Sequence, residues 1–174
     1  MPPTPAVTLI AAVSDDGFIS SGRGIPWDLP ADRAHFRART LGKWLLLGRR
    51  TYEEMTGWFH NHKPLVLSAD ASFNPAIGTR VATVAEALAR VATAGADELL
   101  VIGGGQVFAA AMAVASRLDL TRVHTRLGSG VRFPAVDASV WHEVTARTHP
   151  ADATHRLSFT FTEWERAPGN GSDP

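Results

Sequence analysis

The chain has 174 residues, of which 45% are hydrophobic and 20% charged, and its 17 basic and 17 acidic side chains cancel. That suits one domain with a substantial core, while the lack of cysteine excludes disulfides, thiol catalysis and Cys-ligated metals. No basic run suggests nucleic acid, and no apolar run approaches the roughly 20 residues that span a bilayer. The start also lacks a charged segment followed by an apolar one, so a cytoplasmic protein is expected. Residues 7–165 read as the core of a single domain, with loose tails at 1–5 and 168–174.

Val7 to Val13 (Val-Thr-Leu-Ile-Ala-Ala-Val) is a short apolar run of the kind that forms a strand buried on both faces. Small Ala11 and Ala12 leave room for a flat ring or simply fill a crowded core. Ser14 to Gly24 is rich in Ser, Gly and Asp and reads as a loop, either a lid or a plain surface connection. Next comes Gly24 to Phe36, with Pro30 suited to the first position of a helix, where its missing N–H costs nothing. That register puts Asp32 in the first turn and Phe36 one turn later on the same face. Trp27 sits just before the helix and can close over the same spot. An acid among apolar neighbours has its carboxyl pKa raised and can serve as a proton donor; at a bare helix start it is merely favoured by the dipole.

Trp44 to Leu47 is a second buried strand ending at Gly48, and Thr51-x-x-Glu54 predicts a capping box with a helix from about Tyr52. Arg49 and Arg50, between strand end and helix, are an anion site or a surface pair. Pro64 to Ser68 is a third strand, Arg80 to Thr83 a short fourth, and Val84 to Val91 has an amphipathic helical period. Glu98 to Phe108 runs from strand through Gly103-Gly104-Gly105 into a helix, a layout that brings bare backbone N–H groups to a phosphate or makes a tight turn. Leu118 to Thr125 is a further strand, and Trp141 to Arg147 and His155 to Glu165 form a closing antiparallel pair. The repeated strand–helix order implies an α/β fold whose central, mainly parallel sheet has about eight strands flanked by helices and ends in an antiparallel hairpin. His60 and His62 lie two apart, but no third ligand stands at a supporting spacing, so no metal is expected.

Four ordered segments, around Ile-Pro-Trp-Asp32, Gly-Arg-Arg-Thr51, Ile-Gly-Gly-Gly-Gln-Val-Phe108 and Phe133-Pro134, resemble those of the dihydrofolate reductase family, and the likeness runs from about Val7 to Trp164. It implies an oxidoreductase that reduces a pterin C=N bond with NADPH, as in 7,8-dihydrofolate to the tetrahydrofolate of one-carbon metabolism, and that binds antifolates. By that resemblance Asp32 bonds the pterin amino group and N3 and promotes protonation of N5, with Trp27 and Thr121 as its catalytic partners. Ile10, Ala11, Ile25, Phe36, Met55, Phe59 and Ile102 line the substrate pocket. Arg49 and Arg50 take adenine-side phosphate charge, Thr51 faces the pyrophosphate and Ser68 lies beside the adenine ribose. Ala12, Ile19, Gly48, Leu67, Ile102, Gly103, Gly104, Gly105, Gln106, Val107 and Phe108 complete the cofactor site.

Some positions depart from the family pattern. His62 stands where an arginine takes the folate α-carboxylate, and Arg33 and Arg37 are the candidates to supply that charge. Ser20 replaces a glycine in the lid, and Ser129-Gly130 replaces a Gly-Asp latch. The protein is expected to act on a small molecule as a monomer, without nucleic acid or membrane. The alternative function is a same-fold NADPH-dependent reductase of another pterin or an aminopyrimidine, similar to those of flavin synthesis.

Overall fold

A computed structural model describes residues 3–169. Its strands are β1 (Ala6–Ser14), β2 (Phe18–Ser20), β3 (Trp44–Gly48), β4 (Lys63–Leu67), β5 (Thr79–Val81), β6 (Glu98–Gly103), β7 (Arg117–Val123), β8 (Val131–Arg132), β9 (Trp141–His149) and β10 (Phe159–Arg166). The α-helices are α1 (Pro30–Thr40), α2 (Arg49–Glu54), α3 (Val84–Thr93) and α4 (Gly105–Met112). Eight strands make one sheet in the order β5-β4-β3-β6-β1-β7-β10-β9. All its pairs from β5 to β7 are parallel, and β10 runs antiparallel to both β7 and β9. The apolar runs explain the order: Leu45 to Leu47 and Leu99 to Val101 are fully buried in the middle, where a strand needs apolar side chains on both faces. β9, at the edge, leaves nearly every side chain in water.

Three expectations needed correction. The Ser14–Gly24 stretch is not all loop, because β2 pairs with β8 as a separate two-stranded ribbon. The Thr51–Glu54 capping box does not form. β3 runs straight into α2 with Gly48 as the flanking residue, so Thr51 lies inside the helix. The same Thr-x-x-Glu pattern does cap α3, where Thr83 accepts the Glu86 N–H at 3.0 Å and Glu86 accepts the Ala82 N–H at 2.8 Å. Finally, the last strand begins at Phe159 rather than His155. Of the expected tails, residues 1–2 and 170–174 lie outside those described, and Pro5 is already buried.

The helices are fixed differently. α4 buries Val107, Phe108 and Ala111, and large apolar side chains contribute about 1.5–3 kcal/mol each when fully buried. α1 fully buries only Thr40, whose hydroxyl turns back onto the Phe36 carbonyl at 2.7 Å. Much of what holds α1 in place is therefore polar, and those polar contacts gather around Asp32.

Candidate active site

Pro30 begins α1, as expected, and Asp32 falls in its first turn. The flanking Leu29 is buried and offers no side-chain cap, which leaves the first N–H groups of the helix without partners of their own. His155, from the loop before β10, supplies one: its Nε2 accepts the Ala31 N–H at 3.1 Å, while its Nδ1 donates to Asp152 at 3.0 Å. Both ring nitrogens are thereby committed, with the proton on Nδ1. One residue on, Thr121 of β7 donates from Oγ1 to Asp32 Oδ1 at 2.6 Å. Burial pushes the Asp32 carboxyl above its ordinary range, while the Thr121 hydrogen bond and nearby His35 pull it back and Asp119 adds to the rise. An acid so placed keeps its proton closer to neutrality than a free aspartate.

His35, one turn after Asp32, faces Asp119 of β7, with Nε2 2.9 and 3.1 Å from the two carboxylate oxygens. Asp119 and Thr121 are two apart on the strand, so both side chains leave its same face and meet the same helix. The Asp119 hydrogen bond raises the His35 pKa, against the opposing effect of burial. Beyond them Arg39 makes a two-pronged contact with Glu98 at 2.6 and 3.0 Å, and Thr8 donates to Glu98 at 2.8 Å. The sequence reading missed His35, Asp119 and His155. The i, i+3 spacing from Asp32 and the i−2 spacing from Thr121 were usable signals for the first two; nothing local pointed to His155.

Around this acid, Phe36 leans on Trp58 with ring centroids 5.4 Å apart. Trp58 stacks on His62 at 4.0 Å. The His62 Nδ1 is buried without a hydrogen-bond partner, and burial holds this imidazole below its ordinary pKa, so it is neutral at pH 7. Arg37, Ala38, Leu41, Trp58 and His62 line a surface cavity of about 290 Å³. Arg37 thus borders the His62 position, whereas Arg33, its expected companion, bonds Asp28. Of the expected lining residues, Ile10 and Phe59 are buried, Phe59 stacking on Tyr52, while Ile25 is 67% exposed. Met55 and Ile102 pack partly buried in the cluster around Phe59, and Ala11 is half-buried in β1. Trp27 packs on Leu29, Val123 and Phe159 at the foot of α1, beside Ala12, rather than standing free.

The two glycine-bearing segments meet across β3 and β6. A β-carbon on Gly48 would come within 3.2 Å of a Val107 methyl, and one on Gly104 within 3.3 Å of the Thr51 hydroxyl. One on Gly105 would lie 2.7 Å from Val131. These glycines leave a seam of bare backbone, and the Gly105, Gln106 and Val107 N–H groups precede the first helical bond, from Phe108 to Gly104. The side chains of Val107 and Phe108 are both buried, Val107 with a methyl against Gly48 and Phe108 against Phe133 at 5.0 Å, so their polar contribution to this surface is backbone only. Arg49 already contacts Glu53 and Asp70, at 2.8 and 2.9 Å, and Arg50 reaches Glu54 at 3.3 Å from an exposed position. The Ser68 carbonyl accepts from Arg80 at 3.0 Å. Leu67 and Ile19 are half-buried against the main core.

The loop before β2 is tied down by an acid on its own side. Desolvation would raise the Asp16 pKa, but hydrogen bonds from Ser14, Gly128 and Leu127 bring it down to about 2. Gly130, at φ 133°, lies so close to Ser20 that a β-carbon would fall 2.0 Å from its carbonyl oxygen. The fold also gathers His149, Asp152 and His155, whose possible ligand atoms lie within 4.8 Å of one another. A metal on His155 Nδ1 would force the ring proton onto Nε2, against the Ala31 N–H. The α1 contact and a metal are therefore incompatible at that ring.

Comparison with known proteins gives a consistent result. The family profile described as dihydrofolate reductase matches residues 6–166. The chain is 36% identical to dihydrofolate reductase type 3 of Salmonella typhimurium, over 92% of this chain and 98% of that one. It is 34% identical to the dihydrofolate reductase of Neisseria meningitidis serogroup A, with the same coverage. Among solved structures it resembles the Enterococcus faecalis dihydrofolate reductase complexed with NADP(H) and RAB-propyl, with a TM-score of 0.84 and 26% identity over 95% of this chain and 98% of that one.

Proposed function

Because the chain belongs to the dihydrofolate reductase family, we propose that it reduces 7,8-dihydrofolate to tetrahydrofolate with NADPH, and that Asp32 governs the proton that this reduction consumes. The hydride goes to the carbon of the pterin C=N bond and the proton to N5. The observation that carries the reading is the Thr121–Asp32 hydrogen bond at 2.6 Å on a half-buried acid whose proton affinity is raised. Asp32 accepts from the pterin amino group and N3 and promotes protonation of N5; Thr121 fixes which carboxylate oxygen is free for that contact. Without the proton the imine is a poor hydride acceptor. The acid also favours a pterin over substrates of same-fold reductases that lack it.

The residues present fit NADPH. Gly48 and Gly104 leave backbone where a β-carbon would crowd Val107 and Thr51, as close approach to a pyrophosphate requires, and Arg49 and Arg50 stand beside that seam with their positive charge. NADPH bound there supplies the hydride. Thr51, Ser68 and the N–H groups of Gly105 to Val107 hold its phosphates and ribose, and Ala12, Ile19, Leu67 and Ile102 offer apolar surface. Since His62 is neutral, Arg37 takes the substrate's carboxylate. Residues 7–165 act as one catalytic domain, supported by a sheet that runs unbroken from β5 to β9, and the enzyme works as a cytoplasmic monomer.

The test follows loss of reduced-nicotinamide absorbance with 7,8-dihydrofolate for wild type and Asp32→Asn. Asn keeps the shape and one acceptor oxygen but neither the charge nor the titrating proton, so turnover falls by about 10²–10⁴-fold, most at high pH. NADPH binding without wild-type turnover would instead direct the search to another heterocycle.

A further inference from the structure

We propose that the His35–Asp119 pair is a built-in charge regulator that sets how tightly Asp32 holds its proton across the working pH range. This rests on the reading of Asp32 as the acid of the reaction. The geometry is specific: His35 follows Asp32 by one turn on α1, and Asp119 precedes Thr121 by two on β7. The strand thus grips the helix twice, through Thr121 on Asp32 at 2.6 Å and through Asp119 on His35 at 2.9 and 3.1 Å. Neither His35 nor Asp119 is needed to touch substrate, yet Asp119 is a charged group 5% exposed, which is costly unless paired; its partners are His35 and, at 3.6 Å, Arg39.

The groups around His35 are few. On its own helix they are Asp32 and Arg39; from β7 comes Asp119. From β10 the Phe161 ring lies 4.9 Å from the imidazole, with Arg147 of β9 on that ring at 5.1 Å. Glu98 of β6 and Glu163 of β10 act on Arg39 rather than on His35 directly. While His35 carries its proton, the imidazolium and the Asp119 carboxylate act on Asp32 in opposite directions, the imidazolium the more strongly. The Asp119 hydrogen bond keeps that proton on His35 to higher pH than an ordinary histidine would. When His35 releases it, Asp119 keeps only the Arg39 guanidinium, 3.6 Å away and shared with Glu98, and a second negative charge on Asp32 becomes harder to form. Asp32 therefore loses its proton less steeply with rising pH than an isolated carboxyl, because deprotonation of the neighbour strengthens its hold.

The experiment is a ¹³C-carboxyl NMR titration of the full-length enzyme, with the Asp32 signal assigned by its loss in Asp32→Asn. His35→Gln still donates to Asp119 but carries no charge, so it raises the Asp32 midpoint by roughly 0.5–1 pH unit. Asp119→Asn removes the anion and leaves His35 cationic over the acid range, which lowers the midpoint by a similar amount. His35→Lys keeps a cation for Asp119 and holds the midpoint near or below wild type, an outcome that shape alone would not produce. The pH profile of hydride transfer moves in the same directions. Midpoints unmoved in His35→Gln and Asp119→Asn, or shifted the same way in both, would overturn the proposal. Failure of the underlying reading is separate: Asp32→Asn would then transfer hydride normally whatever the titrations show.

Discussion

Helix α1 fully buries none of its apolar side chains and is fixed by Ala31 on His155, Asp32 on Thr121 and His35 on Asp119. Helix α4, on the other side of the glycine seam, buries Val107, Phe108 and Ala111 and has no polar tie of that kind at its flanking Gly104. The two regions answer different needs. A proton-handling carboxyl requires neighbours whose charge can change, and those neighbours can only be polar. A surface that meets a dinucleotide backbone requires close approach, which small residues and tight packing provide. Hydrogen bonds give α1 direction at about 0.5–1.5 kcal/mol each, less than the burial of one large side chain under α4. The Asp32 side is thus the easier to loosen and the easier to tune.

The contrast can be broken first on the packed side. Gly104→Val puts branches where even a β-carbon stands 3.3 Å from Thr51, and overpacking of this kind costs about 1–3 kcal/mol. NADPH affinity, measured by fluorescence titration, is expected to drop about ten-fold or more with the Asp32 pH profile unchanged. On the polar side, His155→Phe removes the acceptor for Ala31. Loss of a helix-start acceptor costs about 0.5–2 kcal/mol, seen as a lower melting temperature together with a reduced kcat as Asp32 loses its fixed place. His155→Gln, which can still accept that N–H, recovers most of both; equal losses in the two variants would remove His155 from the scheme. The smallest effect is at the rim. Arg37→Ala raises KM for dihydrofolate about five-fold, in line with about 1 kcal/mol for an exposed ion pair, and Arg33→Ala leaves it near wild type. An unchanged KM in the double variant would reject a role for either arginine.

Much of this arrangement can be read along the chain because its signals are local. Pro30 places the first turn of α1, and with it Asp32. The apolar runs at Leu45–Leu47 and Leu99–Val101 mark central strands, and a strand followed by three glycines marks a close backbone approach. Local pattern also misleads: Thr-x-x-Glu caps α3 at Thr83 but not α2 at Thr51, because β3 enters α2 directly, Gly48 takes the cap position and Thr51 falls inside the helix. Likewise Val107 and Phe108 follow the glycines in sequence, yet the helix turns their side chains into the core.

The sequence by itself determined the order of the main-sheet strands and the helices, the position of the acid in its helix and the family, since each depends on neighbours a few residues apart; the β2–β8 ribbon it did not show. Tertiary structure alone decided which charges surround that acid. Asp119 lies 84 residues beyond His35 and His155 lies 124 beyond Ala31, so their pairings depend on which strand the sheet brings beneath α1. A hydrogen bond works only within about 3 Å, and distance along the chain carries no information about it.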